Sequence, residues 1–185
     1  MQESVTERLT ATAARLFQER GLTRVGINEI IREADVARMS LYNNFKSKED
    51  LALAAYAAVS TDRQASIDVV IEASADPRLA ILAIFDLAAD LAGKASFRGC
   101  AFIDLAAHVE VDDARLLALV RSHKVALRCR FSRLAEEIGL SDPDLLGRQL
   151  LALWDGALTD AFIERNIAPI SAARSAAEQL LRPAA

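Results

Sequence analysis

The stretch that decides the fold is "GINEIIREADVARMSLYNNFKSKEDL", residues 26–51. Its isoleucines recur at helical intervals and predict a short second helix over about residues 27–34. Leu41 and Phe45 stand four residues apart and predict a third short helix, over about residues 38–44, with both side chains facing inward. Two short helices joined by a tight turn are typical of a helix-turn-helix.

The predicted third helix turns Arg38, Tyr42 and Asn43 toward solvent. A short helix with such side chains suits the DNA major groove, where arginine can pair with guanine and asparagine with adenine. We assign Tyr42, Lys46 and Lys48 to phosphates. The alternative is a solvated helical face whose positive charge arose by chance. The full set of candidate DNA-binding residues is Gly26, Asn28, Arg38, Met39, Ser40, Tyr42, Asn43, Asn44, Lys46 and Lys48.

The charge distribution is local. The net charge is −4, yet residues 1–50 hold eight basic and eight acidic residues and are therefore neutral. The positive charge gathers in the cluster of Arg38, Lys46 and Lys48, which suits a polyanion met at one surface.

Helical periodicity continues along the rest of the chain and predicts an all-α fold of about nine helices. We expect a helix-turn-helix DNA-binding domain over residues 1–50 and a second helical domain over residues 51–185. The remaining predicted helices run from 4 to 20, from 47 to about 71–73, from 76 to about 93, over 101–109, from "VDDARLL" at 111 to before 139, from 142 to about 165, and from after Pro169 to about 181.

Composition narrows the class of protein. No secretory signal and no long apolar run is visible, so we expect a cytoplasmic protein without a membrane span. Cys100 and Cys129 are far apart and are expected to be reduced, and we expect no metal and no cofactor. Cys100 and His123 are conceivable as nucleophile and base, but no motif places them together, so we expect no enzyme.

The N-terminal third resembles the DNA-binding end of the tetracycline-repressor (TetR) family of bacterial regulators. The resemblance rests on "ARLFQERGLTRVGINEI", on Ala34 and Val36, and on the run from Leu41 to Phe45 followed by the run from Ser47 to Leu51. Two later segments, "FRGCAFIDLAAH" and "LLALWDGALTDAFI", resemble the family more loosely. The chain departs from the family pattern at Gly26, where Thr or Ser is usual, at Asp35, where Gly is common, and at Met39, where a small residue is common.

The resemblance implies a homodimer and a small-molecule effector, and makes residues 51–185 a helical effector-binding and dimerisation domain. For the dimer interface, small and apolar residues recur on the eighth and ninth helices, although an internal core stripe is the alternative. A two-fold dimer would read a palindromic operator with half-sites about 34 Å apart. The candidate interface residues are Leu146, Leu150, Leu153, Ala157, Ala161, Ala173, Ala176, Ala177 and Leu180.

The candidate effector pocket is drawn from the fifth to eighth helices. Each of its residues is also a candidate for the core, and His108 is the best polar candidate because it lies on a mostly apolar helix. We expect an apolar or amphipathic effector. The candidate residues are Phe85, Phe97, Phe102, His108, His123, Phe131 and Trp154.

The sequence therefore predicts a ligand-responsive, sequence-specific DNA-binding transcriptional regulator. The resemblance favours a repressor that a small molecule releases from double-stranded DNA. The alternatives are a helical protein–protein adaptor and an activator that acts without a small-molecule effector.

Overall fold

The computed structural model describes residues 4–109 and 114–182. Within these ranges it is all-helical, as predicted. The predicted start of the seventh helix, residues 111–113, lies outside the described ranges. The described elements are α1 (Val5–Arg20), a short 3₁₀ turn (Leu22–Arg24), α2 (Ile27–Glu33), α3 (Arg38–Asn44), α4 (Lys48–Glu72), α5 (Pro77–Ala92), α6 (Ala101–His108), α7 (Ala114–Glu137), α8 (Pro143–Glu164) and α9 (Ala168–Leu180).

Three predicted helix starts are confirmed by their capping bonds. The Ser4 hydroxyl accepts from the backbone N–H of Glu7, and the Glu7 carboxylate accepts from the backbone N–H of Ser4, which completes a capping box. Asp76 and Asp142 each cap a helix whose first residue is proline, where the missing N–H costs no intrahelical bond.

Two other helix starts differ in detail from the prediction. The Ser47 hydroxyl accepts from the backbone N–H of Asp50 at 3.1 Å, but the Asp50 carboxylate pairs with Arg115 at 2.8 Å. The capping box predicted there is therefore only half formed. Pro169 does not precede the last helix but lies in its first turn, a position that tolerates proline because the first N–H groups of a helix have no partner within it.

The described residues form two compact units. The first unit comprises the residues up to Asp62 together with Ala101–Arg121, and the second comprises Arg63–Cys100 and the chain from Ser122 onward. The predicted division into residues 1–50 and 51–185 concerns function and stays a prediction.

The core of the first unit is built on an aromatic stack. Tyr56 is buried, and its ring lies 6.0 Å from the ring of Phe17, nearly parallel to it, and 6.0 Å from the ring of Phe102, edge to face. Leu9 and Leu16 on the same face of α1 are also buried, so the predicted apolar stripe of that helix is confirmed. The stack joins α1, α4 and α6 and gives α2 and α3 a rigid base.

The core of the second unit lies between α5, α7, α8 and α9. Most of the predicted dimer residues fall inside it. A side chain buried in its own subunit has little area left to bury against a partner, so the burial favours the alternative of an internal core stripe, while the assignment of these residues to a dimer interface stays a prediction. Leu153 and Ala176 are half-buried and Leu180 is exposed, whereas the buried ones are Leu146, Leu150, Ala157, Ala161, Ala173 and Ala177.

Over the ranges that the structure describes, every helix is too short or too polar to cross a lipid bilayer.

Candidate DNA-binding interface

The α2–turn–α3 segment forms a helix-turn-helix, as predicted. Ile30 and Leu41 are fully buried, and Phe45 is 8% exposed, so both helices are anchored by their apolar faces. Asp35 stands between them with φ 50°, in the left-handed region that an aspartate can adopt. The Arg8 guanidinium donates to the Asp35 carbonyl at 3.0 Å and ties the turn to α1. The aspartate therefore preserves the turn where glycine is common.

The outward face of α3 carries the side chains that the sequence assigned to base edges. Arg38 and Asn43 are exposed, Met39 is 68% exposed and Tyr42 is 45% exposed. The Arg38 guanidinium lies 5.8 Å from the centre of the Tyr42 ring, a cation–π distance. This contact restricts Arg38 before it meets a ligand, which lowers the entropy cost of binding. Ser40 is only half-exposed.

Asn44 makes two hydrogen bonds that the sequence did not suggest. Its side-chain oxygen accepts from the Thr6 hydroxyl at 2.6 Å, and its amide nitrogen donates to the Ser40 carbonyl at 2.7 Å. Both ends of the amide are thus occupied within the first unit. Asn44 therefore holds α3 against α1, its contact with a base stays a prediction, and sequence reasoning missed its partner Thr6.

The Lys48 side chain also has a hydrogen-bond partner within the first unit. Its ammonium donates to the Leu22 carbonyl at 2.7 Å, and burial lowers the pKa of Lys48 although Glu49 acts in the opposite direction. The phosphate role predicted for Lys48 is therefore weakened, because moving the ammonium to DNA would break this bond. Lys46, two residues earlier, is exposed and suits a phosphate better.

The start of α2 lacks a side-chain cap, as its sequence predicts. Gly26 is the N-cap residue with an extended backbone, and a Cβ added there would meet nothing within 4 Å. The glycine is therefore not required by packing. Asn28 is exposed beside it, as is Arg24, a cation that sequence reasoning did not select. The sequence feature that could have identified Arg24 is a basic residue just before α2.

Two acidic residues of α2, Glu29 and Glu33, are paired with arginines of α1. The Arg20 guanidinium lies 2.6 Å from the Glu29 carboxylate and lowers the pKa of Glu29. The Arg15 guanidinium donates to Glu33 at 2.7 Å. These pairs limit the repulsion that α2 carboxylates would exert on DNA phosphates.

The predicted pocket residues do not form one group. Phe85 lies 6.1 Å from the ring of Phe131 and 6.0 Å from that of Trp154, in the core of the second unit. Phe97 packs against the same core and is partly buried. Phe102 belongs to the aromatic stack of the first unit.

The two histidines have opposite environments. His108 is exposed, and its Nδ1 lies 2.8 Å from the Asp104 carbonyl, so the best polar candidate for the pocket does not lie in a closed cavity. His123 is buried in the second unit, and burial, with the neighbouring cations, lowers its pKa to about 4. It is therefore a neutral imidazole at physiological pH.

A cleft of about 550 Å³ opens in the second unit beside α4 and α7, and none of the predicted pocket residues lines it. The Arg130 guanidinium makes two bonds of 2.6 Å to the Asp68 carboxylate at its wall. Sequence reasoning missed this cleft because its lining comes from residues far apart in the chain. Its lining residues are Asp68, Ile71, Glu72, Ala126, Cys129, Arg130 and Arg133.

A helix-turn-helix with an exposed polar and cationic face defines a DNA-binding protein, and comparisons with known proteins identify its family. Residues 9–55 match the family model described as bacterial regulatory proteins, tetR family. Residues 9–55 are therefore a TetR-family DNA-binding domain, and the chain is a transcriptional regulator similar to members of that family along most of its length.

This chain is similar to known transcriptional regulators over most of its length. It is 28% identical over 173 residues to the HTH-type transcriptional repressor DhaR of Mycobacterium sp. (strain GP1), covering 90% of this chain and 86% of the relative. It is 29% identical over 162 residues to the transcriptional regulator AcuR of Cereibacter sphaeroides, covering 82% and 74%. The crystal structure of SCO4454, a TetR-family transcriptional regulator from Streptomyces coelicolor, superimposes with a TM-score of 0.91 at 27% identity, covering 98% of this chain and 90% of that one.

Proposed function

We propose that this chain is a homodimeric, cytoplasmic repressor without enzymatic activity that binds a palindromic operator and is released by a small molecule. The observation that carries the proposal is the exposed face of α3. It presents Arg38, Met39, Tyr42 and Asn43 to solvent, while Leu41 anchors the opposite face in the core. DNA binding is assigned to residues 1–50, and effector binding and dimerisation to residues 51–185. The similarity to DhaR, a transcriptional repressor, supports repression rather than activation.

The proposed dimer contact uses the outer α8 face, defined by Leu145, Ala152, Gly156 and Ile163. These residues recur at helical intervals and are exposed, Leu145 by 50% and Ile163 by 68%. The two residues in the middle are small, which allows close approach of a partner helix. This face replaces the buried stripe that the sequence first suggested.

The proposed effector site lies in the second unit, near the core that contains Phe85, Phe131 and Trp154. Phe97 and Cys100 pack against that core and are only partly buried, so an apolar effector could reach them. By linkage, an effector that weakens operator binding must itself be bound more weakly by the operator complex, by the same factor.

Selection of bound duplexes from a random DNA pool at two salt concentrations tests the proposal. The expected product is a palindrome with half-sites about 34 Å apart. With folded protein at low salt, absence of any enriched sequence would favour the adaptor, whose partner contact lacks the steep salt dependence of phosphate binding.

Arg38 is the most direct test of base reading. Arg38→Ala is expected to relax the preference at one position of each half-site and to cost about 1–3 kcal/mol on the selected operator. Competition between the operator and single-base variants measures this preference. An equal loss on every duplex would instead make Arg38 a phosphate contact.

A further inference from the structure

Three polar side chains from separate segments meet in the second unit. The Lys124 ammonium, on α7, lies 3.3 Å from the Cys100 sulfur and 2.5 Å from the Asp155 carboxylate on α8. The side chains of Lys124 and Asp155 are 17% and 25% exposed. Mutual charge neutralisation explains the partly buried Lys124–Asp155 ion pair. It does not explain why the Lys124 ammonium also contacts the Cys100 thiol.

The backbone holds Cys100 in place. Gly99, the preceding residue, has φ 81°, and a Cβ there would lie 3.5 Å from the Leu158 carbonyl and 3.5 Å from the side chain of Phe162. Residue 99 is therefore a glycine for conformational reasons, and the turn lies directly against α8. Cys100 is a free thiol that packs against the apolar core of the second unit while remaining partly exposed.

The arrangement matches what nucleophilic addition by a thiol requires. The thiolate is the reactive form of cysteine, and an adjacent ammonium stabilises its charge. Lys124 is itself fixed by Asp155, so the cation is oriented before any ligand arrives. An apolar surface beside the sulfur would receive a hydrocarbon chain.

We propose that the Cys100–Lys124–Asp155 cluster is a covalent site for α,β-unsaturated carbonyl compounds with an apolar chain, and that such compounds are the effectors of this regulator. This inference rests on the proposed function and names the effector class. The Cys100 sulfur forms a bond to the β-carbon while the C=C π pair moves toward the carbonyl oxygen. The resulting enolate takes up at its α-carbon one proton, equivalent to the one the thiol gives up. No oxidant and no leaving group takes part, and Lys124 acts by stabilising the sulfur and enolate charges.

The second cysteine provides an internal control. Cys129 is exposed on α7, whereas Cys100 is only partly so. If accessibility alone governed the rate, Cys129 would react first. The proposal predicts the opposite order in the folded protein and equal rates in urea, where the cluster no longer exists.

The first experiment treats the protein with trans-3-nonen-2-one and follows both cysteines by intact mass and peptide mapping. Cys100 is expected to react about tenfold faster than Cys129 when folded, with a mass gain equal to the whole enone. The saturated ketone 2-nonanone, which has no β-carbon acceptor, is expected to leave both thiols unmodified. Faster reaction of Cys129, or the same selectivity in urea, would overturn the proposal.

Variants test the role of the ammonium. Lys124→Gln combined with Asp155→Asn replaces the ion pair with two neutral amides of similar size, so no charge is left unpaired. This variant is expected to lose the tenfold preference for Cys100, whereas Lys124→Arg is expected to keep most of it. Thermal unfolding verifies that each variant is folded, and unchanged selectivity in the folded double variant would contradict the proposal.

Operator binding is measured separately from the chemistry. If the unmodified protein does not bind the operator, the proposed function itself is wrong. With operator binding established, the enone is expected to lower affinity at least tenfold in the wild type and to have no effect in Cys100→Ser. A Cys100 adduct that leaves operator affinity unchanged would overturn the effector assignment while leaving DNA regulation intact.

Discussion

Helix α8 carries a glycine, Gly147, that lies directly against α7. A Cβ at this position would lie 3.0 Å from the Arg128 carbonyl, 3.1 Å from the Ser132 nitrogen and 2.2 Å from the Ser132 hydroxyl oxygen. Gly147→Ala is expected to lower the free energy of unfolding by about 1–3 kcal/mol through overpacking, despite the better helix propensity of alanine. Urea unfolding measures the difference.

The matched control adds Ser132→Ala to the same chain. The buried Ser132 hydroxyl has no hydrogen-bond partner among the described residues, so its removal alone is expected to cost little. In the double variant the hydroxyl clash disappears, but the two backbone contacts remain, and stability should recover only in part. Full recovery would show that the hydroxyl was the sole obstacle.

His123 gives the second unit a predictable response to acid. Burial first, and then the cations Lys124, Arg63 and Arg130, lower the pKa of His123 to about 4. In the unfolded chain a histidine titrates near about 6.5, so between these values the unfolded chain takes up a proton that the folded chain does not. The stabilisation is complete above the unfolded pKa and is lost as pH falls toward 4.

At about pH 5 the loss from His123 is expected to be about 1–2 kcal/mol relative to about pH 7.5. Urea unfolding at both pH values should show a smaller difference for His123→Gln than for the wild type. His108→Gln, at an exposed histidine, serves as the control. An identical pH dependence in wild type and His123→Gln would contradict the depressed pKa.

The sequence alone predicted the roles of some side chains in the DNA interface but not of others. Arg38, Tyr42 and Asn43 follow from helical periodicity, since Leu41 and Phe45 fix which face points outward. Asn44, in contrast, is bonded to Thr6, 38 residues away, and Lys48 to Leu22, 26 residues away. Such partners depend on how α1 and the 3₁₀ turn pack against the motif, which no local pattern encodes.

At the scale of the element, the junction of α3 and α4 carries two lysines with different tasks, Lys46 between the helices and Lys48 at the start of α4. Lys46 is exposed, whereas Lys48 is bonded to the Leu22 carbonyl at 2.7 Å. Lys46→Ala is expected to reduce the slope of log K against log salt by about one while leaving stability unchanged. Lys48→Ala is expected to lower the free energy of unfolding by about 1 kcal/mol and to leave the slope almost unchanged.

Filter binding of the selected operator over a range of salt concentrations gives the slopes, and urea unfolding gives the stabilities. The two variants control for one another because each removes one lysine charge from the same junction of α3 and α4. A flattened slope in a fully stable Lys48→Ala protein would restore the phosphate role that the sequence suggested for that residue.

Helix boundaries were largely predictable because their signals are local. Ser4 with Glu7, Asp76 before Pro77 and Asp142 before Pro143 each mark a helix start that the structure confirms. The face that α8 presents to its own subunit was not predictable. Apolar and small residues recur on two sides of that helix, and only packing against α5, α7 and α9 decides which side is inside.

At the scale of the whole molecule, a palindromic operator requires two copies of the α3 face in a fixed relation. Because Leu150 and Ala157 are buried in the subunit, the α8 contact is left to the outer face of Leu145, Ala152, Gly156 and Ile163. Ala152 is in the middle of that face. Since glutamate is a good helix former, Ala152→Glu should leave the subunit folded while placing like charges across the two-fold axis.

We therefore expect Ala152→Glu to sediment as a monomer at concentrations at which the wild type sediments as a dimer, and to bind the operator at least tenfold more weakly because each half-site is bound independently. Ala65→Glu, at an exposed alanine on α4, introduces the same charge elsewhere and should preserve both properties. Sedimentation velocity and operator titration of the two variants make the comparison. If Ala152→Glu remains a dimer with full operator affinity, the subunits associate through another surface, and the spacing of the two α3 helices must be set there instead.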